Sequence, residues 1–404
     1  MRRGDIKKFF QAGHFGTLIS AFLYFDVSFM VWVMVGALGV YIAEDFSLTA
    51  AEKGLLVAAP ILGGSLLRLP LGLAADFFGP KKSGSVGLAL TLIPLLWAWL
   101  GGGSVEQMLF IGLMLGIAGA SFAVALPMAS RCYPARYQGL VMGIAGAGNS
   151  GTVIAALLAP RLAERLGWHA VFGVATLPVL LTLAIFCLAA KEQTTRQPLQ
   201  RFSAYLAVLK EADTWWFSLF YMVTFGGFVG LASFLPVFFH DQYGVSKVAS
   251  GGLTALCVCA GSFFRPLGGL LADRLGGIRV LMALYALVAG VVLLLSRLPP
   301  LSWATTLLFA GMGVLGMGNG AVFQIVPQRF KNEIGVVTGL VGAAGGLGGF
   351  LLPFLLGLSK EFTGSYAAGF VFLAAATLFC LALLAYVQRD WRRDWAQEKV
   401  GVAF

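Results

Sequence analysis

Apolar runs such as residues 280–296 and 370–387 constrain this chain more than any other feature. Each is about the length a helix needs to cross a bilayer core of about 30 Å. In lipid every backbone N–H and C=O must be paired within the protein, so such runs cross as helices. Composition extends the argument to the whole chain, because 59% of the residues are hydrophobic and only 11% charged, against roughly a quarter charged in soluble domains. About twelve spans are expected. The basic start (Arg2, Arg3, Lys7, Lys8) leads into an apolar stretch too long for a signal-peptide core and without a convincing cleavage site, so it reads as a retained first span. Five cysteines (Cys132, Cys187, Cys257, Cys259, Cys380) form no CxxC or Cys/His spacing. They read as packing residues, and no metal or cofactor is expected.

A formal charge of +10 raises the question of nucleic acid, which the distribution of Lys and Arg answers. With the N-terminus in the cytoplasm, 20 of the 28 fall in inner segments and 6 in outer ones, leaving two inside spans. That bias is a topology signal, placing both termini inside. It predicts a multi-pass protein of the plasma (inner) membrane with lipid as its main neighbour and no nucleic-acid partner.

The longest polar stretch, 191–212, divides the chain into six-span halves, 1–190 and 213–404. Sliding the sequence on itself by 197 positions superposes Gly64, Ser65, Arg68, Gly72, Leu73, Ala75, Asp76 and Gly79 on Gly261, Ser262, Arg265, Gly269, Leu270, Ala272, Asp273 and Gly276. So many matches in so short a window indicate duplication. The repeated GLAADFFGPKK (Gly72 to Lys82) and GLLADRLGGIR (Gly269 to Arg279) resemble the cytoplasmic loop motif of the major facilitator superfamily. That resemblance covers the whole chain and implies an all-α integral membrane protein of the major facilitator fold. Its 12 transmembrane helices would form two pseudo-symmetric six-helix bundles, with a site at the midplane between them.

Arg68 and Arg265 each precede the loop aspartate by eight residues, which at 1.5 Å per residue is ~12 Å into the membrane. A charge so deep is costly and faces a cavity, a partner or a ligand. The plainer reading, a structural arginine paired with a carboxylate, lacks a matching pair of buried acids. Two guanidinium forks on one cavity suit a small planar oxyanion. By the same count Phe122 lies ~13 Å deep, Tyr221 ~12 Å, Phe225 ~18 Å and Asn149 ~16 Å. These can wall the same cavity, although a single Phe in a membrane helix is commonly lipid-facing or packing. Asn319 and Gln324 in the tenth span are weaker candidates, because polar residues there can simply bond across helices. Glycines crowd the fifth span (Gly143, Gly146, Gly148, Gly151) and the eleventh (Gly339, Gly342, Gly345, Gly346, Gly348, Gly349). They predict close backbone approach to a helix or a ligand, and both spans are expected to act as pivots.

GIAGAGNSG (Gly143 to Gly151) and GAAGGLGGFLLP (Gly342 to Pro353) resemble the paired nitrate signatures of the nitrate/nitrite porter family. RLPLG from Arg68, ASF ending at Phe122, YMVTFG from Tyr221 and FRPLGG from Phe264 also match that family's pattern. The resemblance implies that Arg68 and Arg265 grip the anion, Phe122 and Phe225 sandwich it, and Tyr221 and Asn149 bond nearby. It implies a secondary transporter of nitrate, nitrite or both, working by alternating access, and a monomer is expected.

Coupling rests on Asp26, ~13 Å beyond the start of the first span and so level with the arginines. It is a candidate counter-ion or proton carrier and tilts the expectation to proton symport, with nitrate/nitrite antiport as the alternative; a structural cap is its plainer role. A carrier of formate or oxalate, or a non-transporting anion sensor, would use the same two arginines. No nucleophile, base or metal cluster at one depth points to an enzyme.

Overall fold

The computed structural model describes residues 9–134, 137–192, 207–330 and 334–397; most of the expected linker therefore lies outside the described residues. Twelve described helices are long and apolar enough to cross a bilayer. The first half holds α1 (Phe15–Trp32, continued by Met34–Ala37 and Gly39–Asp45), α2 (Ala50–Phe78), α3 (Pro80–Leu100), α4 (Val105–Gly119 and Phe122–Arg131), α5 and α6 (Trp168–Ala189). Helix α5 runs as Gln138–Gly146, a 3-10 turn Ala147–Ser150, and Gly151–Leu166. The second half holds α7 (Ala212–Tyr243), α8 (Lys247–Phe263 and Arg265–Leu275), α9 (Gly277–Leu295), α10 (Leu301–Arg329), α11 (Ile334–Thr363) and α12 (Ala367–Gln397). The chain is a multi-pass membrane protein.

Three of the interruptions fall beside expected site residues. Helix α8 breaks at Phe264, where Pro266 has no N–H to give the preceding turn and its ring crowds that turn; Arg265 opens the segment that follows. Helix α4 breaks at Ala120–Ser121, so Phe122 is the first residue of its second part. Asn149 lies in the 3-10 turn of α5, among the glycines that loosen it. Such departures are tolerated at membrane depth where protein or a cavity, rather than lipid, surrounds the backbone.

The halves meet through α2 against α11, α5 against α8, and α1 against α7. A Cβ at Gly226 would come 2.7 Å from the Gly348 carbonyl carbon, so α7 and α11 touch backbone to backbone. At one face the halves are bolted together. Lys53 of α2 pairs with Asp241 of α7 at 2.7 Å, and Lys247 of α8 pairs with Glu44 of α1, which also has the His240 Nε2 at 3.6 Å. Glu361 of α11 accepts from the Ala50 and Ala51 N–H groups at 2.9 and 3.3 Å, closing the positive N-terminus of α2. At the opposite face, which carries the repeated loops at Gly79 and Gly276, three polar contacts between described residues join helices of the same half. Asp76 pairs with Arg131 (3.3 Å), Gln324 donates to Asp273 (2.9 Å), and Arg329 pairs with Asp213 (2.5 Å). A cavity runs in from this loop face past Asp76, Arg131 and Thr338 to Arg68 and Phe122.

Candidate anion site

Arg68 is 1% exposed. Its Nε donates to the Gly119 carbonyl of α4 at 3.3 Å and its Nη1 to the Gly342 carbonyl of α11, so it is tied to both halves. Its Nη2 has no partner among the described residues. Three rings surround the guanidinium, with centroids 4.9 Å (Phe225), 5.5 Å (Phe122) and 5.5 Å (Trp32) away. Each such cation–π contact is worth ~0.5–2 kcal/mol. Trp32 reaches this place because Gly64 and Gly119 leave room for its indole, whose Nε1 donates to the Pro60 carbonyl at 2.6 Å.

Arg265 is held differently. The residue is half-buried, its Nη1 has no partner among the described residues, and its guanidinium lies 5.9 Å from the Phe323 ring centroid. Tyr221 of α7 lies within electrostatic reach of both guanidinium groups. Its ring stacks on Phe225 at 5.0 Å and 9°, and meets Phe323 edge-on at 4.8 Å. Phe323 also meets Phe122 at 5.9 Å, joining the aromatic wall of one half to that of the other. The structure thus brings Arg68, Arg265, Phe122, Tyr221 and Phe225 into one cluster, of which Arg68 and Phe122 line the cavity from the loop face.

Glycines of α11 shape that cluster. A Cβ at Gly342 would stand 3.5 Å from the Arg68 Nη1, and one at Gly345 would stand 2.5 Å from the Tyr221 Cδ1. Gly346, Gly348 and Gly349 instead admit Ser65, the Met222 backbone and Val229, so they serve helix contact. In α5, Gly148 and Gly151 face Phe25 and the Asp26 carbonyl, whereas a Cβ at Gly143 or Gly146 would meet nothing within 4 Å.

Other expected residues lie around rather than in the cluster. Asn149 is 1% exposed with its Oδ1 unpartnered, and it bonds neither guanidinium among the described residues. Asn319 is buried with an unpartnered Oδ1. Gln324 gives its amide to Asp273 at the loop end of α8 and so braces the second half. Asp26, a candidate counter-ion or proton carrier with a structural bond as its plainer role, accepts from the Ser150 hydroxyl of α5 at 2.6 Å. Among the described residues neither Arg68 nor Arg265 forms an ion pair.

Trp32, Ser65 and Phe323 are contributors that the depth count passes over. Ser65 donates to the Ala343 carbonyl one turn from Arg68, a second tie from α2 to α11. The repeat offset contains a signal for Ser65, since Ser65 and Ser262 match. Phe323 was within reach of the same count, at ~9 Å inside Arg329.

Chemically, the site offers two guanidinium groups with no carboxylate partner, among aromatic faces that exclude water. Burying charge without compensation is expensive, and carbonyls and ring faces offset it only in part.

Two six-helix halves joined by ion pairs at one face, with a cavity running from the other face to a buried arginine, define a membrane transporter of the alternating-access kind. The sequence pattern of the Major Facilitator Superfamily matches residues 20–353. The chain is 34% identical to a nitrite extrusion protein of Bacillus subtilis, covering 89% of this chain and 91% of that one. It is 32% identical to a probable nitrate/nitrite antiporter of Thermus thermophilus (91% and 88% covered) and 30% identical to a probable nitrate transporter of Staphylococcus carnosus (90% and 94%). In fold it is similar to a bacterial homologue of the lysosomal transporter Spinster in an inward-facing, occupied conformation, with TM-score 0.69 and 18% identity over 93% of this chain and 97% of that one. The chain belongs to the major facilitator superfamily, and within it to the family of these nitrate/nitrite transporters.

Proposed function

We propose that this chain moves nitrate and nitrite across the membrane by alternating access, with the anion held between Arg68 and Arg265. The observation that carries this reading is the pair of guanidinium groups, Arg68 buried and Arg265 half-buried, with no ion-pair partner among the described residues and with Phe122, Tyr221 and Phe225 beside them. The loop face is read as cytoplasmic, from the positive-inside bias, so the cavity leading to Arg68 opens inward.

The coupling best supported is exchange. Switching sides with no anion would carry two uncompensated guanidinium charges through a sealed chamber, while an anion on both legs neutralises the site each time. Proton symport is the second reading, and the buried Asp26 carboxyl, bonded to Ser150 beside Asn149, favours it. Proteoliposomes separate the two. Exchange predicts nitrate uptake that needs internal nitrite, ignores an imposed pH gradient and survives Asp26→Asn in folded protein. Symport predicts uptake into empty vesicles that rises with the inward proton gradient and disappears in Asp26→Asn. Preference for formate or oxalate over nitrate in competition would overturn the substrate.

A further inference from the structure

The two arginines are equivalent in the sequence repeat and unlike in their surroundings. Arg68 is fixed by two backbone carbonyls, one from each half, and by three rings. Arg265 bonds no carbonyl among the described residues; it has Tyr221 nearby, whose hydroxyl has no hydrogen-bond partner among those residues, and the face of a single ring, Phe323. Arg265 also stands at the head of a helix segment, directly after the break at Phe264, where the backbone restrains it less than the unbroken α2 restrains Arg68.

Phe323 is itself well placed. It leans edge-on against Tyr221 at 85° and against Phe122 at 64°, and each contact holds its plane. Matching Pro127 with Pro327, Gly116 with Gly316 and Leu115 with Leu315 puts Phe323 opposite Ala123 of α4. The neighbour of Ala123, Phe122, faces Arg68 as Phe323 faces Arg265, but Arg68 has two carbonyls and two further rings besides, whereas among the described residues Phe323 is the one ring over Arg265.

From this asymmetry we propose that Phe323 is the positioning residue of Arg265: its π face holds the guanidinium toward the chamber, as the Gly119 and Gly342 carbonyls hold Arg68. The inference rests on the anion-transport reading above. Arg68 is then a fixed anchor and Arg265 the adjustable partner, whose approach to the anion depends on the electron density of one ring. Phe323 touches no anion in this scheme; it acts through Arg265.

The test replaces Phe323 with phenylalanine carrying one, two or three ring fluorines, which drain the π face while nearly preserving shape. Nitrate exchange is measured on nitrite-loaded proteoliposomes, and KM and kcat are read separately. The same series at Phe25, which packs on Phe122 at 5.7 Å and on no guanidinium, is the control. The expected result is a stepwise rise in nitrate KM at Phe323, roughly tenfold over the series, with kcat little changed and the Phe25 series flat. Phe323→Leu should fall at or beyond the trifluoro end, and Phe323→Tyr should restore most of the affinity. A flat KM series at Phe323, or an equal rise at Phe25, overturns the proposal and leaves the ring a packing element. Absence of nitrate exchange by the unsubstituted protein would overturn the transport reading and this inference together, whereas a flat series on an active protein overturns this inference alone.

Discussion

At the scale of single residues, a guanidinium and an ammonium carry the same charge but not the same geometry. Arg68 uses separate N–H groups for two carbonyls and keeps Nη2 for a further acceptor. Lysine has one point of charge and cannot serve all three directions. Arg68→Lys and Arg265→Lys are each expected to lower nitrate uptake by at least about tenfold, the worth of one charge-assisted hydrogen bond, while leaving protein yield and melting behaviour near those of the parent. Normal uptake in either would contradict the anion site. The same residues show how far counting along a helix reaches. Depth is a product of residue number and rise, so Phe122, Tyr221 and Phe225 are legible as neighbours of the arginines. Facing is not, because these spans are apolar nearly all round and carry no polar stripe to set their rotation. Asp26 sits at the expected level but turns to Ser150, and Trp32 enters the chamber through space that distant glycines provide.

At the scale of elements, α11 is the helix that both halves share. Its neighbours are α2 across the interface and α7 within its own half, and its glycines divide between the chamber and those two helices. Gly345→Ala would drive a methyl group to 2.5 Å from the Tyr221 ring, which Phe225 backs at 5.0 Å. Overpacking of this kind costs ~1–3 kcal/mol. The variant should raise nitrate KM and lower the melting temperature in detergent. Gly143→Ala meets open space and should leave the melting temperature unchanged or slightly raised, since alanine is the better helix former. Equal effects at both positions would show that the glycines act only as generic small residues. The break in α8 is readable from Pro266; the break in α4, one turn after Gly116 packs on Gly63 and Gly64 of α2, has no such marker. The glycine-rich character of both spans is plain in the sequence, but which glycine meets a ring, a backbone or nothing depends on helices far away in the chain.

At the scale of the whole molecule, the repeat predicts two like halves and the structure adds where they are joined. The joining contacts at the closed face come from short polar turns, whose pairing across halves no repeat encodes. Lys53→Glu places like charges beside Asp241 and is expected to weaken closure by ~1 kcal/mol, a roughly fivefold shift in population. Spin labels at the outer ends of α1 and α7 would report that shift as a longer distance, and adding Asp241→Lys should reverse it. No change in the distance distribution would mean that apolar packing alone closes this face.

The bolts of that face are charges with water beside them: Lys53 and Asp241 are 23% and 15% exposed, and Glu44 is 52% exposed. Attraction between such groups fades as the bath grows saltier, with a screening length near ~8 Å at physiological ionic strength. Arg68, 1% exposed and among three aromatic rings, is far less open to the same ions. Salinity therefore acts on the door and hardly on the lock, so a briny medium shortens the time this face stays shut without loosening the grip on the cargo.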